Sequence, residues 1–136
     1  MVLKASRRGQ IPPFIVMDVL REANRRQAAG KDILHLELGQ PQTGAPRAVI
    51  AAARRALDND ALGYTEAFGL MSLRQRIAEH YAATQKISVA PDNIVITTGS
   101  SAGFVLGFTA AFDAGDRVAL AAPGYPGYHN ILLAQD

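Results

Sequence analysis

The sequence predicts an α/β fold: a helical, loop-rich front up to about Asp92, then the opening of a mainly parallel sheet with helices on both faces. Two observations carry this. Before Asp92 apolar residues recur at helical spacing, and after it two apolar runs, Ile94 to Thr98 and Arg117 to Ala122, lack the polar alternation of a half-exposed strand. Between the runs lie a Gly99-Ser100-Ser101 turn and an apolar segment with Phe104, Val105, Leu106, Phe108 and Phe112. That order, strand, turn, helix, strand, is one βαβ unit. Two parallel strands cannot cover both faces or bury their edges, so the fold is expected to be incomplete within these residues, as in an N-terminal fragment.

In chain order, residues 1 to 11 form an arm with Lys4, Arg7 and Arg8 and no periodicity. Pro12-Pro13 opens a helix where proline is best tolerated. Val16, Val19, Leu20 and Ala23 mark one face of it, Asp18, Arg21, Glu22 and Arg25 the other, and Gly30 closes it. Asp32 to Leu38 reads as a short strand running into the loop Gly39 to Pro46, which either presents backbone to a ligand or is a plain connection. Pro46 opens a second helix with Val49, Ile50, Ala53, Ala56 and Leu57 at helical spacing. After the loop Tyr64 to Gly69 comes a third helix, with Leu70, Leu73, Ile77 and Tyr81 expected in the core and Arg74, Arg76 and Glu79 at polar positions. Pro91 sets a turn before the βαβ unit. Asp113 and Asp116 flank a second turn, and His129 to Gln135 read as the start of a last helix.

At 136 residues and 49% hydrophobic composition the chain is globular material for one real core. Its 14 basic against 12 acidic residues leave a net charge of +2, and 19% charged residues without basic-aromatic interleaving argue against nucleic acid as a partner. The run Ile11 to Leu20 is broken by Pro12, Pro13 and Asp18, which predicts neither a signal peptide nor a membrane span and makes the cytoplasm the default compartment. No cysteine is present, and His35, His80 and His129 lack spaced metal-ligand partners, so no metal site is expected.

The Gly99-Ser100-Ser101 turn delivers small residues to a helix N-terminus, where free backbone N–H groups and a positive dipole end favour an anion. It reads either as a phosphate site or as an ordinary helix cap. A parallel crossover places the Pro123-Gly124-Tyr125-Pro126-Gly127-Tyr128 loop at the same sheet edge, so an aromatic ring at Tyr125 would face the phosphate. A phosphorylated, flat cofactor suits that pair better than bare phosphate.

Taken in order, Leu38-Gly39-Gln40-Pro41, Tyr64-Thr65 with Gly69-Leu70 and Leu73-Arg74, Thr97-Thr98-Gly99-Ser100-Ser101, Gly115-Asp116-Arg117-Val118 and Pro123 to Tyr128 resemble the N-terminal part of class I/II aminotransferases, the fold-type I pyridoxal-phosphate enzymes. Within that family the stretch around Gly39 looks most like the aspartate/aromatic-type subgroup. The resemblance implies pyridoxal 5'-phosphate as cofactor, amino acid and 2-oxo acid as substrates, and a homodimer. It divides the chain into residues 1–45, belonging to the smaller domain, and 46–136, the first part of the cofactor-binding domain. Gly99, Ser100 and Ser101 match the phosphate-cradling turn, and Tyr125 the ring stacked on the pyridine. Tyr64 is similar to the tyrosine that reaches the phosphate of the neighbouring subunit's cofactor, and Gly39 to the loop glycine at the substrate carboxylate.

The same resemblance implies a Schiff-base lysine well after the βαβ unit, and Lys4, Lys31 and Lys86 all precede it. These residues are therefore expected to carry half of a cofactor cradle, to hold no catalytic residue, and to be inactive alone. Lyase, decarboxylase or ligand-sensing roles on the same fold remain alternatives. A dinucleotide-binding domain is disfavoured, because Gly99, Gly103 and Gly107 are spaced by four and no acidic residue ends the second strand.

Overall fold

The computed structural model describes residues 3–41 and 43–135. Among these residues five α-helices form: α1 (Ile15–Ala28), α2 (Arg47–Asn59), α3 (Met71–Gln85), α4 (Ser100–Ala111) and α5 (Pro126–Gln135), with single 3-10 turns at Arg7–Gly9 and Pro91–Asn93. The chain divides into two compact units. One comprises the residues up to Leu38 together with those from Thr97 on, and the other runs from Gly39 to Ile96.

In the first unit α1 ends as its sequence demands. Gly30 takes φ +81°, its N–H donates to Gln27 O at 2.9 Å, and Lys31 N–H donates to Arg26 O at 3.2 Å, the paired bonds of a Schellman stop. Val16, Leu20 and Ala23 are half-buried. On the solvent side Arg21 pairs with Asp18, and Arg25 and Arg26 both hydrogen-bond Glu22. Those two guanidinium groups pull the Glu22 carboxyl down from its ordinary 4.5 to about 2. Helix α4 packs against α5, and α5 against the Arg7–Gly9 turn. Gln135 Nε2 ties α5 back to α4 by donating to Val105 O at 3.0 Å and to Thr109 Oγ1. The Asp113–Asp116 turn is closed by its own groups, Asp113 N–H donating to Asp116 Oδ2 at 2.9 Å.

The second unit is organised by an arginine. Arg74, one of the polar positions of α3 in the sequence, has its side chain only 3% exposed. Its Nε donates to Gly69 O, Nη1 to Pro91 O and Asp92 Oδ1, and Nη2 to Glu66 Oε2, all at 3.2–3.3 Å. The guanidinium also sits 5.9 Å from the centroid of the Phe68 ring. One side chain thus ties the loop before α3 to the turn after it. Beside it, Ile96 N–H donates to Phe68 O at 3.0 Å, and a β-carbon on Gly69 would lie 2.5 Å from Ile96 Cγ1. The four apolar positions expected in the core of α3 are exposed or half-buried, Leu73 and Tyr81 both at 44%.

Three sequence expectations need correction. No strand forms among the described residues, including 94–98, 117–122 and 32–38. A β-branched run sets an extended backbone, as at Ile94 (φ −114°, ψ 125°), but a strand also needs a ladder partner, and these segments do not pair with one another. Nor does burial at 32–38 follow the apolar residues of the expected strand: Ile33, His35, Glu37 and Leu38 are half-buried, while Leu34 and Leu36 are 85% and 89% exposed. Finally, α5 begins at Pro126 rather than His129, because proline at the first helical position brings its helical φ with it.

Candidate functional site

The start of α4 differs from the starts of the other helices. In α2 the Pro46 carbonyl accepts from Val49 and Ile50 N–H, and in α3 the Leu70 carbonyl accepts from Leu73 and Arg74 N–H. In α4 the equivalent carbonyl, that of Gly99, accepts from the Thr97 hydroxyl at 2.8 Å. No side chain caps the helix, and among the described residues no acceptor meets the N–H groups of Ser100, Ser101 or Ala102. Both serine side chains are exposed.

Gly99 itself has φ +86° and ψ 164°, a backbone that L side chains rarely adopt, and nothing lies within 4 Å of where its β-carbon would be. Three N–H donors beside this glycine are unspent, and no other part of the chain crowds the position of its β-carbon. Backbone donors, hydroxyls and the positive end of a helix dipole are the donor set of a phosphate site, so these residues fit the phosphate of pyridoxal phosphate.

Tyr125 precedes α5 and is 46% exposed. Its ring meets Phe14 edge-on at 5.8 Å and Tyr128 at 5.2 Å, and Tyr128 meets Phe104 at 4.6 Å. Phe104 lies one turn into α4, so a run of ring contacts connects Tyr125 with the first turns of α4. The structure thus places Gly99, Ser100, Ser101 and Tyr125 in one unit.

Gly39 and Tyr64 belong to the other unit. The Tyr64 side chain is fully exposed and makes no hydrogen bond or ring contact among the described residues. Two residues before it, Leu62 takes a positive φ (48°), as does Lys86 among the described non-glycine residues. Gly39 is exposed, with nothing within 4 Å of its β-carbon position.

The histidines have local roles. His35 lies between Glu37 Oε1 (2.7 Å from Nδ1) and Gln27 Oε1 (3.0 Å from Nε2), and its hydrogen bond holds the Glu37 carboxyl below the usual range. His80 stacks edge-on with Tyr81. His129 lines a cavity of about 220 Å³ with Phe108, Phe112 and Leu132. Among the described residues no group of three or more ligands could hold a metal ion, and no helix is long and apolar enough to cross a membrane.

Sequence reasoning missed two features of this site. The sequence places Thr97 at the end of a strand and in the family motif but not in the turn's hydrogen bonding, although a threonine two residues before the glycine signals a side-chain-to-backbone bond across the turn. The contact of Phe14 with Tyr125 spans most of the chain, and no local pattern announces it.

The chain resembles known proteins in sequence and in fold. The family described as aminotransferase class I and II matches residues 31–135. A valine–pyruvate aminotransferase of Mycobacterium tuberculosis is 54% identical over 127 residues, 93% of this chain and 33% of that protein. A (5-formylfuran-3-yl)methyl phosphate transaminase of Methanocaldococcus jannaschii is 36% identical over 88% of this chain and 32% of its own length. A crystal structure of an aminotransferase from Mycobacterium tuberculosis superposes with a TM-score of 0.93 at 51% identity, covering 98% of this chain and 35% of that one. The chain therefore spans about a third of the length of the curated relatives it matches. With the match extending over residues 31–135 and the superposition over nearly every residue, the chain belongs to the class I and II aminotransferase family.

Proposed function

We propose that the full-length polypeptide carrying these residues catalyses pyridoxal-phosphate-dependent transamination between an L-amino acid and a 2-oxo acid, and that this stretch supplies part of the cofactor cradle. The observation that carries the reading is the uncapped start of α4, with three unspent backbone donors and two exposed hydroxyls next to a glycine at positive φ. The reaction class rests on the family, whose relatives above are named for transamination. Their names specify different substrates, so the amino donor is assigned no further than an L-amino acid.

In this reading the N–H groups of Ser100, Ser101 and Ala102 and the two serine hydroxyls hold the phosphate. Tyr125 lays its ring against the pyridine, an offset stack worth about 0.5–1.5 kcal/mol beyond area burial. Tyr64 donates its phenol to the phosphate in a second copy of the chain, so the working unit is a homodimer; its full exposure and lack of a partner support that role. The Gly39 loop meets the substrate carboxylate with its backbone. The segments 94–98 and 117–122 join the mainly parallel sheet of the fold-type I architecture, a reading supported by their having no ladder with each other among the described residues.

When bound, the cofactor supplies an aldehyde that condenses with amino groups and a ring that withdraws electrons from the substrate Cα. The residues of this chain bind and orient. The amine that moves the Cα proton is assigned to none of its lysines, Lys86 for instance donating its ammonium to Ala83 O at 3.0 Å.

The test is a single turnover of the cofactor-loaded, full-length polypeptide with an L-amino acid and no 2-oxo acid. Transamination yields one equivalent of the matching 2-oxo acid per site, with the amino group retained on the protein until a 2-oxo acid is added. Release of carbon dioxide or free ammonia instead would replace the reading with decarboxylation or lyase chemistry.

A further inference from the structure

We propose that Gly127 and Phe14 are positioning residues for the Tyr125 ring, Gly127 by leaving room for it and Phe14 by bracing it from the N-terminal segment. The inference rests on the reading of Tyr125 as the ring that faces the cofactor.

A β-carbon on Gly127 would fall 2.8 Å from Tyr125 Cζ and 3.1 Å from Cδ1, with Cε1 closer still. Contacts under 3.0 Å are not tolerated, so the ring must turn or shift whenever residue 127 carries a side chain. Gly127 lies inside α5 and its φ is not positive, so the helix itself does not ask for glycine. On helix propensity alone alanine is the better residue there. What the glycine provides is space beside one ring.

The opposite constraint comes from Phe14, which precedes α1 and meets the Tyr125 ring at 5.8 Å with an interplanar angle of 80°. The segment carrying Phe14 is fastened to α5, because Asn130 Nδ2 donates to Pro12 O at 3.2 Å and the Arg7–Gly9 turn packs on the same helix. Tyr128 contributes the third contact and passes it on to Phe104 of α4. A half-exposed tyrosine that bound nothing would gain little from such bracing. A ring that must present its face at one angle requires it.

The experiment uses the full-length polypeptide and three variants, Gly127→Ala, Phe14→Leu and Tyr125→Leu. The readouts are cofactor affinity, visible circular dichroism of the bound cofactor, and melting of the cofactor-free protein. Gly127→Ala is expected to melt no lower than the parent, to bind the cofactor about two- to tenfold more weakly, as loss of an oriented stack implies, and to change the visible dichroism. Phe14→Leu, which keeps apolar volume, changes the dichroism in the same direction, and Gly127→Ala adds nothing in the Tyr125→Leu background. The inference is overturned if Tyr125→Leu weakens binding while Gly127→Ala matches the parent in affinity and dichroism, or if Gly127→Ala merely lowers the melting temperature. If Tyr125→Leu itself binds as the parent does, it is the assignment of Tyr125 to the cofactor that fails, and the positioning role falls with it.

Discussion

Replacing Arg74 by methionine keeps most of the side-chain volume and removes the charge and every donor. The magnitude follows from what each acceptor loses. The carbonyls of Gly69 and Pro91 lose a charged donor at 3.2 Å, a bond type worth about 1.5–3 kcal/mol that lies at its weak end at this length. Glu66 and Asp92 are 67% and 83% exposed, so water replaces the guanidinium there and each pair contributes about 0–1 kcal/mol. The Phe68 contact adds about 0.5 kcal/mol. Arg74→Met should therefore cost about 3.5–5.5 kcal/mol, and Glu66→Gln below about 1 kcal/mol, since that carboxylate keeps its water. Urea unfolding of the full-length polypeptide reads both, as a lower midpoint at unchanged slope. If Arg74→Met cost less than about 1 kcal/mol, or no more than Glu66→Gln, the arginine would not be what holds the loop before α3 to the turn after it.

Further predictions use the same polypeptide. Tyr64→Phe removes a hydrogen bond to a charged group and should weaken cofactor binding on the order of tenfold, whereas equal affinity would count against the phosphate contact. Gly69→Ala combines a left-handed φ of +92° with a clash on Ile96, and Gly115→Ala has a similar φ of +95° with nothing within 4 Å. Urea midpoints should show Gly115→Ala losing about 1 kcal/mol and Gly69→Ala about 1–3 kcal/mol more, and equal losses would remove the clash from the account. Glu22 is held below its unfolded value, so its pairs with Arg25 and Arg26 stabilise α1 fully above pH 4.5 and are lost as pH falls towards about 2. Helix content followed by circular dichroism across that window should fall more steeply in the parent than in Glu22→Gln, and less so at high salt; parallel curves would contradict the assignment.

Local chemistry could be read directly from the residues. Gly30 stops α1, Pro46 precedes α2, Pro91 makes a turn, and the glycine-serine junction begins α4. Each follows from the backbone preferences of one or two residues. Features that depend on distant partners could not be read so. The run 94–98 specifies an extended backbone but not its ladder neighbours, and helical periodicity sees Arg74 as one more polar position. Its burial depends on acceptors at Glu66, Gly69, Pro91 and Asp92, which are brought together only when α3 folds between them. A small-residue turn opening a helix was legible in the sequence, and the fold added that its backbone donors are unspent because Gly99 O turns to Thr97. Tyr125 was foreseeable as an aromatic ring, but not the glycine and phenylalanine on either side of it.

The most direct test of the account is a crystal structure of the full-length polypeptide with pyridoxal phosphate bound. The account predicts phosphate oxygens within about 2.7–3.2 Å of the amide nitrogens of Ser100, Ser101 or Ala102, and the pyridine ring on the face of Tyr125. A cofactor bound with its phosphate away from the start of α4 would contradict it.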